Sequence, residues 1–144
     1  MSAGTSAAAI AAEVRAGRRK AVDVAQQAIA AARADRFNAY TEVTEARALA
    51  EAAAVDAAVA AGRDPGPLAG VPVAVKNLFD LEGVVTLAGS KINRDHPPAA
   101  RDAFLVRQLK AAGALMIGAL NMDEYAYGFT TENEHFGPSR NPHD

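Results

Sequence analysis

A short valine-rich segment between residues 66 and 80 constrains the fold of this chain more than any other. Its glycine and proline residues, from Gly66 to Gly70, indicate a loop. The apolar residues that follow predict a strand buried on both faces, as in a parallel sheet. This strand ends on Lys76. Side chains alternate along a strand, so Lys76 shares a face with Ala74, whose small side chain leaves room beside it.

Two interpretations of Lys76 follow from this position. A lysine at the end of a strand commonly carries the chain out to water, with its aliphatic stem lying along the rim. A lysine held against apolar walls instead loses hydration, which favours the neutral amine and allows it to accept a proton. The strand alone leaves both interpretations open.

The rest of the sequence alternates between helical and strand patterns. Alanine-rich periodic segments precede the Lys76 strand, and glycine residues end most of them. The predicted elements are helices at 6–16, 21–36 and 44–61, strands at 37–43 and 114–118, and helices that begin near 102 and 120. A strand, a crossover, a helix and a second buried strand in that order predict an α/β fold.

The two helices after Lys76 carry the most specific expectations. Asp102 is predicted to cap a helix that turns an apolar face to the core. The residues expected on that face are Phe104, Leu105, Leu109 and Ala112. Asn121 is predicted to cap the next helix. Asn77 and Asp80 are predicted to fix the turn that follows Lys76.

Composition excludes several classes of function. The 144 residues include no cysteine, which rules out disulfides, thiolate catalysis and cysteine-ligated metals. A net charge of −2 gives no basis for binding nucleic acid or an anionic membrane. No apolar stretch approaches the roughly 20 residues of a membrane span. We therefore predict a cytoplasmic protein that binds neither membrane nor nucleic acid.

Other kinds of site fit the sequence poorly. The three histidines, His96, His135 and His143, are scattered and lack metal-ligand spacing, so neither a metal nor another cofactor is predicted. Residues 73–76 are superficially similar to the lysine strand of protein kinases, but the other kinase motifs are missing. A non-catalytic module whose helices dock a small partner protein stays open as an alternative.

Four ordered blocks of sequence resemble the amidase signature family, whose members hydrolyse amides with a Ser–cis-Ser–Lys triad. The blocks are residues 68–77, 109–114 with 117–118, 121–128, and 131–133 with 136–142. The resemblance implies a mixed β-sheet covered by α-helices, with alanine-rich helices and one strand in residues 1–65 and the start of the catalytic core in residues 66–144. It also implies that Lys76 is the triad lysine. Ala126 and Tyr127 match substrate-binding positions, although Tyr127 could instead pack beneath a loop.

The serines of the triad are expected elsewhere. In the family they lie in a glycine- and serine-rich segment just after the position matched by residues 141–144, and Ser90 and Ser139 are interpreted as loop serines. The chain is therefore expected to be the amino-terminal part of one amidase domain, inactive without the remainder of that domain. A small helical subunit is a further partner that the resemblance allows.

Three shorter segments indicate which members of the family this chain resembles most. Residues 88–94 and 127–133 are most similar to family members that hydrolyse 1-carboxybiuret in cyanuric-acid breakdown. Residues 121–124 are similar to the amidase-like component of glutamyl-tRNA amidotransferases. The resemblance thus implies an amide hydrolase that acts on a small ureido or amide substrate.

Overall fold

The computed structural model describes residues 6–143 and contains a three-stranded sheet covered by helices. Strand β3 is the central strand, antiparallel to β1 on one side and parallel to β2 on the other. A short hairpin of β4 and β5 follows. The elements in order are α1 Ala7–Arg15, α2 Ala21–Arg33, β1 Tyr40–Val43, α3 Glu45–Ala60, β2 Pro72–Lys76, α4 Phe104–Ala111, β3 Leu115–Leu120, β4 Glu132–Asn133 and β5 Gly137–Pro138. The predicted mixed sheet covered by helices is confirmed.

Strand β3 lies between two apolar clusters. Helices α2 and α3 cover one face, where Val24 and Ile29 join Leu115 and Ile117 in the same cluster. On the other face, Met116 packs with Leu81 and Val106 among others. Residues 115–119 are all buried, so the predicted burial of this strand on both faces is correct.

Strand β2 departs from its prediction. Residues 72–75 are half-buried and Lys76 is exposed, whereas the apolar pattern predicted full burial. The reason is topological, because β2 pairs with β3 alone and forms one edge of the sheet as described. Short apolar runs resemble each other whether a strand is central or at an edge.

The first two helices show how polar side chains set their ends. Ser6 caps α1 by accepting a hydrogen bond from Ala9 N at 3.2 Å, as predicted. Helix α2 ends at Arg33, three residues earlier than predicted. Asp35 accepts hydrogen bonds from the backbone of residues 37, 39 and 40, which folds a turn where the helical pattern continued. Strand β1 consequently begins at Tyr40.

The predicted inward face of α4 is correct at Leu109, which is partly buried against the core, and wrong at Phe104 and Leu105. Phe104 and Leu105 are 64% and 57% exposed, and Val106 is the buried residue of this helix. Asp102 is not its cap, because its carboxylate binds Arg47 of α3 instead.

Within the described residues after β3 no α-helix forms, which contradicts the prediction that Asn121 caps a helix. Asn121 is buried, and its amide donates to the carbonyl oxygens of Asn38 at 3.2 Å and Gly137 at 2.9 Å. These bonds hold the chain in an open turn, followed by a 3-10 turn at Glu124–Ala126. Within residues 6–143, no helix has the length and apolar character needed to cross a bilayer.

Candidate functional site

Lys76 lies where three strand ends meet. It is the last residue of β2 and is opposite Leu120, the last residue of β3. Tyr40, the first residue of β1, pairs with Leu120 from the other side. The side chain of Lys76 is exposed in this chain. The expectation that apolar walls enclose it is therefore not met by the residues described.

The backbone beside Lys76 is held firmly by Asn77, which is only 2% exposed. Its backbone N–H donates to Leu120 O at 2.9 Å, and its carbonyl accepts from Ala88 N at 2.8 Å. Its side-chain amide donates to Thr41 Oγ1 at 2.8 Å and accepts from Leu87 N at 3.1 Å. Every polar group of Asn77 thus has a hydrogen-bond partner, and the backbone that carries the Lys76 side chain is held in place.

The turn after Lys76 is closed by short-range bonds. Phe79 N donates to Lys76 O at 3.1 Å. The carboxylate of Asp80 accepts from Thr86 Oγ1 at 2.6 Å. The predicted role of Asn77 and Asp80 in fixing this turn is confirmed.

Thr41 reaches this site from the amino-terminal half of the chain. The β1–β3 register pairs Tyr40 with Leu120 and Glu42 with Ala119, so Thr41 is an extra residue in a bulge. Its hydroxyl accepts from Asn77 Nδ2 and donates to Ala119 O at 3.3 Å. Sequence reasoning missed Thr41, since a threonine in a strand pattern gives no sign of a bulge.

A chain of backbone hydrogen bonds links Asn77 to the predicted substrate-binding loop. Ala88 donates to Asn77 O, and Ala88 O accepts from Tyr125 N at 2.7 Å. Ala88, Tyr125 and Ala126 all have positive φ angles, of 49°, 51° and 60°. Left-handed residues other than glycine are uncommon, and they cluster at binding and catalytic sites.

Within this loop, Ala126 and Tyr127 are both at the surface. The side chain of Tyr127 is 95% exposed, so it does not pack beneath a loop in the described chain. Tyr127 N donates to Glu124 O at 3.0 Å, which keeps the turn tight. The structure thus presents these two residues to solvent on a strained segment tied through Ala88 to Asn77.

Ser90 lies in the same region but is fully buried. Its hydroxyl donates to Glu124 Oε1 at 2.5 Å, and His135 Nε2 lies 3.2 Å from the same oxygen. The Ser90 hydrogen bond lowers the pKa of Glu124; desolvation opposes this change and His135 adds to it. Ser139 donates to Asn38 O at 2.8 Å. Both serines therefore act as structural donors in loops, and neither is placed as a nucleophile.

A second buried amide, Asn133, connects the loops around the site. It donates to Gly89 O at 2.6 Å and to Met122 O at 2.9 Å. Gly89 has φ of +69°, and a Cβ there would lie 2.9 Å from Met122 O and from Asp123 O. Only glycine fits at position 89, because a side chain would clash with these two carbonyl oxygens. The loop that contains Gly89 therefore packs directly against the segment of Met122 and Asp123.

Open cavities lie away from Lys76. A cleft of about 450 Å³ between the end of α2 and the sheet is lined in part by Phe37, Tyr40, Val73 and Ala74. Burial, and to a lesser extent the negative charge of Asp35, raise the pKa of Tyr40. Lys76, Ala126 and Tyr127 do not line this cleft.

Residues 6–143 contain no group of three or more histidine, aspartate or glutamate side chains that could hold a metal ion. His96 and His143 are exposed in loops. The site as described presents one exposed amine, that of Lys76, on a rigid backbone.

A protein family and several known proteins match most of this chain in sequence. The Amidase family model matches residues 21–144. AtzE, a 1-carboxybiuret hydrolase subunit from Pseudomonas sp. strain ADP, is 60% identical over 91% of this chain and 29% of its own length. The A component of the glutamyl-tRNA(Gln) amidotransferase from Gloeobacter violaceus is 46% identical over 92% of this chain and 27% of its own. The chain thus spans less than a third of the length of these relatives.

Solved structures agree with the sequence relatives. One, described as a vestigial protein complex that reveals the origins of an s-triazine catabolic enzyme, has a TM-score of 0.91 and 59% identity over 94% of this chain and 30% of its own. A bacterial aryl acylamidase of the amidase signature family has a TM-score of 0.88 and 30% identity over 96% of this chain and 29% of its own. The predicted family is confirmed: the chain belongs to the amidase signature family.

Proposed function

We propose that this chain supplies the catalytic lysine of an amidase that hydrolyses a small ureido or amide substrate, 1-carboxybiuret being the preferred candidate. The observation that carries the proposal is the exposed Lys76 at the end of β2, on a backbone fixed by Asn77. The 60% identity to a component of a 1-carboxybiuret hydrolase supports the choice of substrate.

In the proposed reaction, Lys76 acts as the terminal proton acceptor. Its neutral amine takes a proton from a bridging serine, which takes one from the nucleophilic serine as that oxygen attacks the amide carbonyl. The C–N bond breaks, and the returning proton leaves with the nitrogen as ammonia. Water then hydrolyses the acyl-enzyme. In this proposal both reacting serines belong to another segment of the complete protein, and the structural hydrogen bonds of Ser90 and Ser139 support that assignment.

This reaction needs Lys76 to be less exposed than it is in this chain. A packed segment over the end of β2 would remove water from the amine and favour its neutral form. Residues 1–65 and 66–144 form one unit in this proposal, since helices α2 and α3 and strand β3 share one apolar cluster. The remainder of the amidase domain is the segment that we propose closes over Lys76.

The decisive variant is Lys76→Ala in the complete enzyme. Removing a general base lowers kcat about 10²–10⁴-fold, and more where the triad acts as a unit. Ammonia released from 1-carboxybiuret measures this loss. Lys20→Ala is the matched control, because Lys20 is also exposed but precedes α2 and lies outside the site. Ammonia release by Lys76→Ala at the rate of the control would refute the role of Lys76.

A second candidate is the amidase-like component of a glutamyl-tRNA amidotransferase. Several such proteins are 43–53% identical to this chain, which is why the candidate is kept. The two functions differ in their amide. Ammonia release from glutamine in place of 1-carboxybiuret would favour the amidotransferase. A helical partner protein is compatible with either activity, and native mass spectrometry of the purified enzyme tests for it.

A further inference from the structure

We infer that Thr41 is a positioning residue for Lys76, acting through the side chain of Asn77. This inference deepens the proposed function and depends on it. Thr41 belongs to the first strand of the chain, 36 residues before Asn77, and its hydroxyl lies 2.8 Å from Asn77 Nδ2. Through this hydrogen bond, β1 contacts Asn77, the residue next to Lys76.

The bulge in β1 explains why Thr41 is available for this task. A residue in a regular antiparallel pair faces its partner, whereas a bulge redirects a side chain. The paired residues are Tyr40 with Leu120 and Glu42 with Ala119, which leaves Thr41 unpaired between them. The hydroxyl can therefore serve two neighbours at once, accepting from Asn77 and donating to Ala119 O.

Burial makes the Thr41 hydroxyl hard to replace. Asn77 is 2% exposed, so water has little access to its Nδ2 group. The other side-chain atom, Oδ1, is already bound to Leu87 N. Without the hydroxyl, Nδ2 would keep a buried donor without a partner, and the side chain would rotate to find one. That rotation would release Leu87 and loosen the support beneath Lys76.

Thr44 provides a matched control for Thr41. Both are half-buried threonines near β1, and both donate to a carbonyl oxygen of β3. Thr44 binds Met116 O at 2.8 Å, near the start of β3, whereas Thr41 acts at its end. If these hydroxyl groups served only to hold β1 against β3, removing either of them should have the same effect on the enzyme.

The experiment compares Thr41→Val, Thr41→Ser and Thr44→Val in the complete enzyme, with 1-carboxybiuret as substrate. Misplacing a catalytic group by about 1 Å costs up to about 10²-fold. We expect Thr41→Val to lower kcat about 10- to 100-fold while KM changes less than about 2-fold. Thr41→Ser keeps the hydroxyl, so its kcat should stay close to that of the parent enzyme. Thr44→Val leaves kcat within about 2-fold of the parent enzyme.

Hydrogen exchange measured by mass spectrometry gives a readout that does not require activity. Thr41→Val should speed exchange in the peptide covering residues 77–88, since the amides of Asn77, Leu87 and Ala88 depend on this contact. Thr44→Val should not. Parent-like kcat and exchange in Thr41→Val, or an equal loss of kcat in Thr44→Val, would overturn the inference. Activity retained by Lys76→Ala would instead refute the proposed function, while exchange would still test the Thr41–Asn77 contact.

Discussion

Strand β3 is held by charged groups near its start and by neutral groups at its end. Near the start, Met116 N donates to Glu51 Oε2 at 2.8 Å, and Glu51 Oε1 accepts from Arg47 Nε at 2.9 Å. Arg47 also forms a two-pronged ion pair with Asp102, at 2.6 and 2.8 Å. These charges are largely buried and each one has a partner. These groups hold together α3, β3 and the loop before α4.

At the other end of β3 the arrangement is reversed. Thr41, Asn77 and Asn121 are uncharged and fix the backbone with their hydroxyl and amide groups. The charged group, Lys76, is left exposed. A buried charge must be paired or it destabilises the fold, whereas a neutral support leaves a nearby charge free. The Arg47 end of β3 is thus held by paired, buried charges, whereas the Lys76 end exposes the amine to which the proposed function assigns the chemistry.

The largest expected effect on stability is that of Arg47→Met. Removing one partner of a buried ion pair leaves Glu51 and Asp102 uncompensated, which costs about 3–5 kcal/mol. Urea denaturation of the complete enzyme measures the change in the free energy of unfolding. Turnover per folded molecule should stay near that of the parent, because the substitution lies at the opposite end of β3 from Lys76.

Arg15→Met is the control for this substitution. Arg15 pairs with Asp64 at 3.7 Å, and both side chains are at least half exposed. A surface pair of this kind contributes about 0–1 kcal/mol. Equal destabilisation by the two substitutions, or a selective loss of turnover in Arg47→Met, would break the division between the two ends of β3.

Asp102 makes the stability contributed by the Arg47 end of β3 dependent on pH. Hydrogen bonds from Arg47 lower the pKa of Asp102 below its ordinary value near 3.8; desolvation opposes this change and the Glu82 N–H adds to it. The folded pKa is thus below the unfolded one, and the ionised carboxylate stabilises the fold at pH values above about 4. This stabilisation is lost as the pH falls through the folded pKa.

The corresponding variant is Asp102→Asn, which removes the charge but keeps one acceptor oxygen. Losing hydrogen bonds to a charged group should cost about 1.5–3 kcal/mol at pH 7. The difference in unfolding free energy from the parent should shrink as urea titrations move from pH 5 to pH 3. Asp64→Asn, at an exposed position, should show little difference at any pH. A constant gap for Asp102→Asn across this range would contradict the assignment.

Sequence pattern alone is enough to locate the essential strand and its terminal lysine. Residues 72–76 and 115–120 are recognisable because apolar runs bounded by glycine identify strands through local pattern. The sequence motifs also identify the family. Asn77 and Asp80 are recognisable as turn residues, since each makes one side-chain hydrogen bond to a residue within ten positions along the chain. Local signals therefore suffice wherever the interaction itself is local.

The features that sequence pattern misses depend on distant contacts. Asn121 has the sequence of a helix cap, but its amide binds the carbonyl of Asn38, 83 positions earlier. Asp102 also matches a cap and instead binds Arg47, 55 positions away. Thr41 acts through a bulge that only the register with β3 creates. Local propensity describes the secondary structure that a segment prefers in isolation. Tertiary hydrogen bonds override that preference at each of these residues.

The smallest expected effect on stability is that of substituting Tyr127. This substitution tests whether the loop near the Lys76 end of β3 contacts the substrate. A tyrosine that is 95% exposed contributes little to folding, so Tyr127→Ala should change the unfolding free energy by less than about 0.5 kcal/mol. If its ring contacts substrate, losing an aromatic contact of about 0.5–1.5 kcal/mol should raise KM about 2- to 10-fold. Steady-state kinetics with 1-carboxybiuret measure this change.

Phe129 is the matched control, because it lies two residues further along the same loop and is equally exposed. Phe129→Ala should leave KM unchanged, and Tyr127→Phe should separate the ring from the hydroxyl. An equal rise in KM for Phe129→Ala would mean that the loop as a whole, rather than Tyr127, responds to substitution. A large loss of stability in Tyr127→Ala would show that its exposed position in this chain is covered in the complete enzyme. Tyr127 would then belong with Arg47 among the groups that hold the fold together.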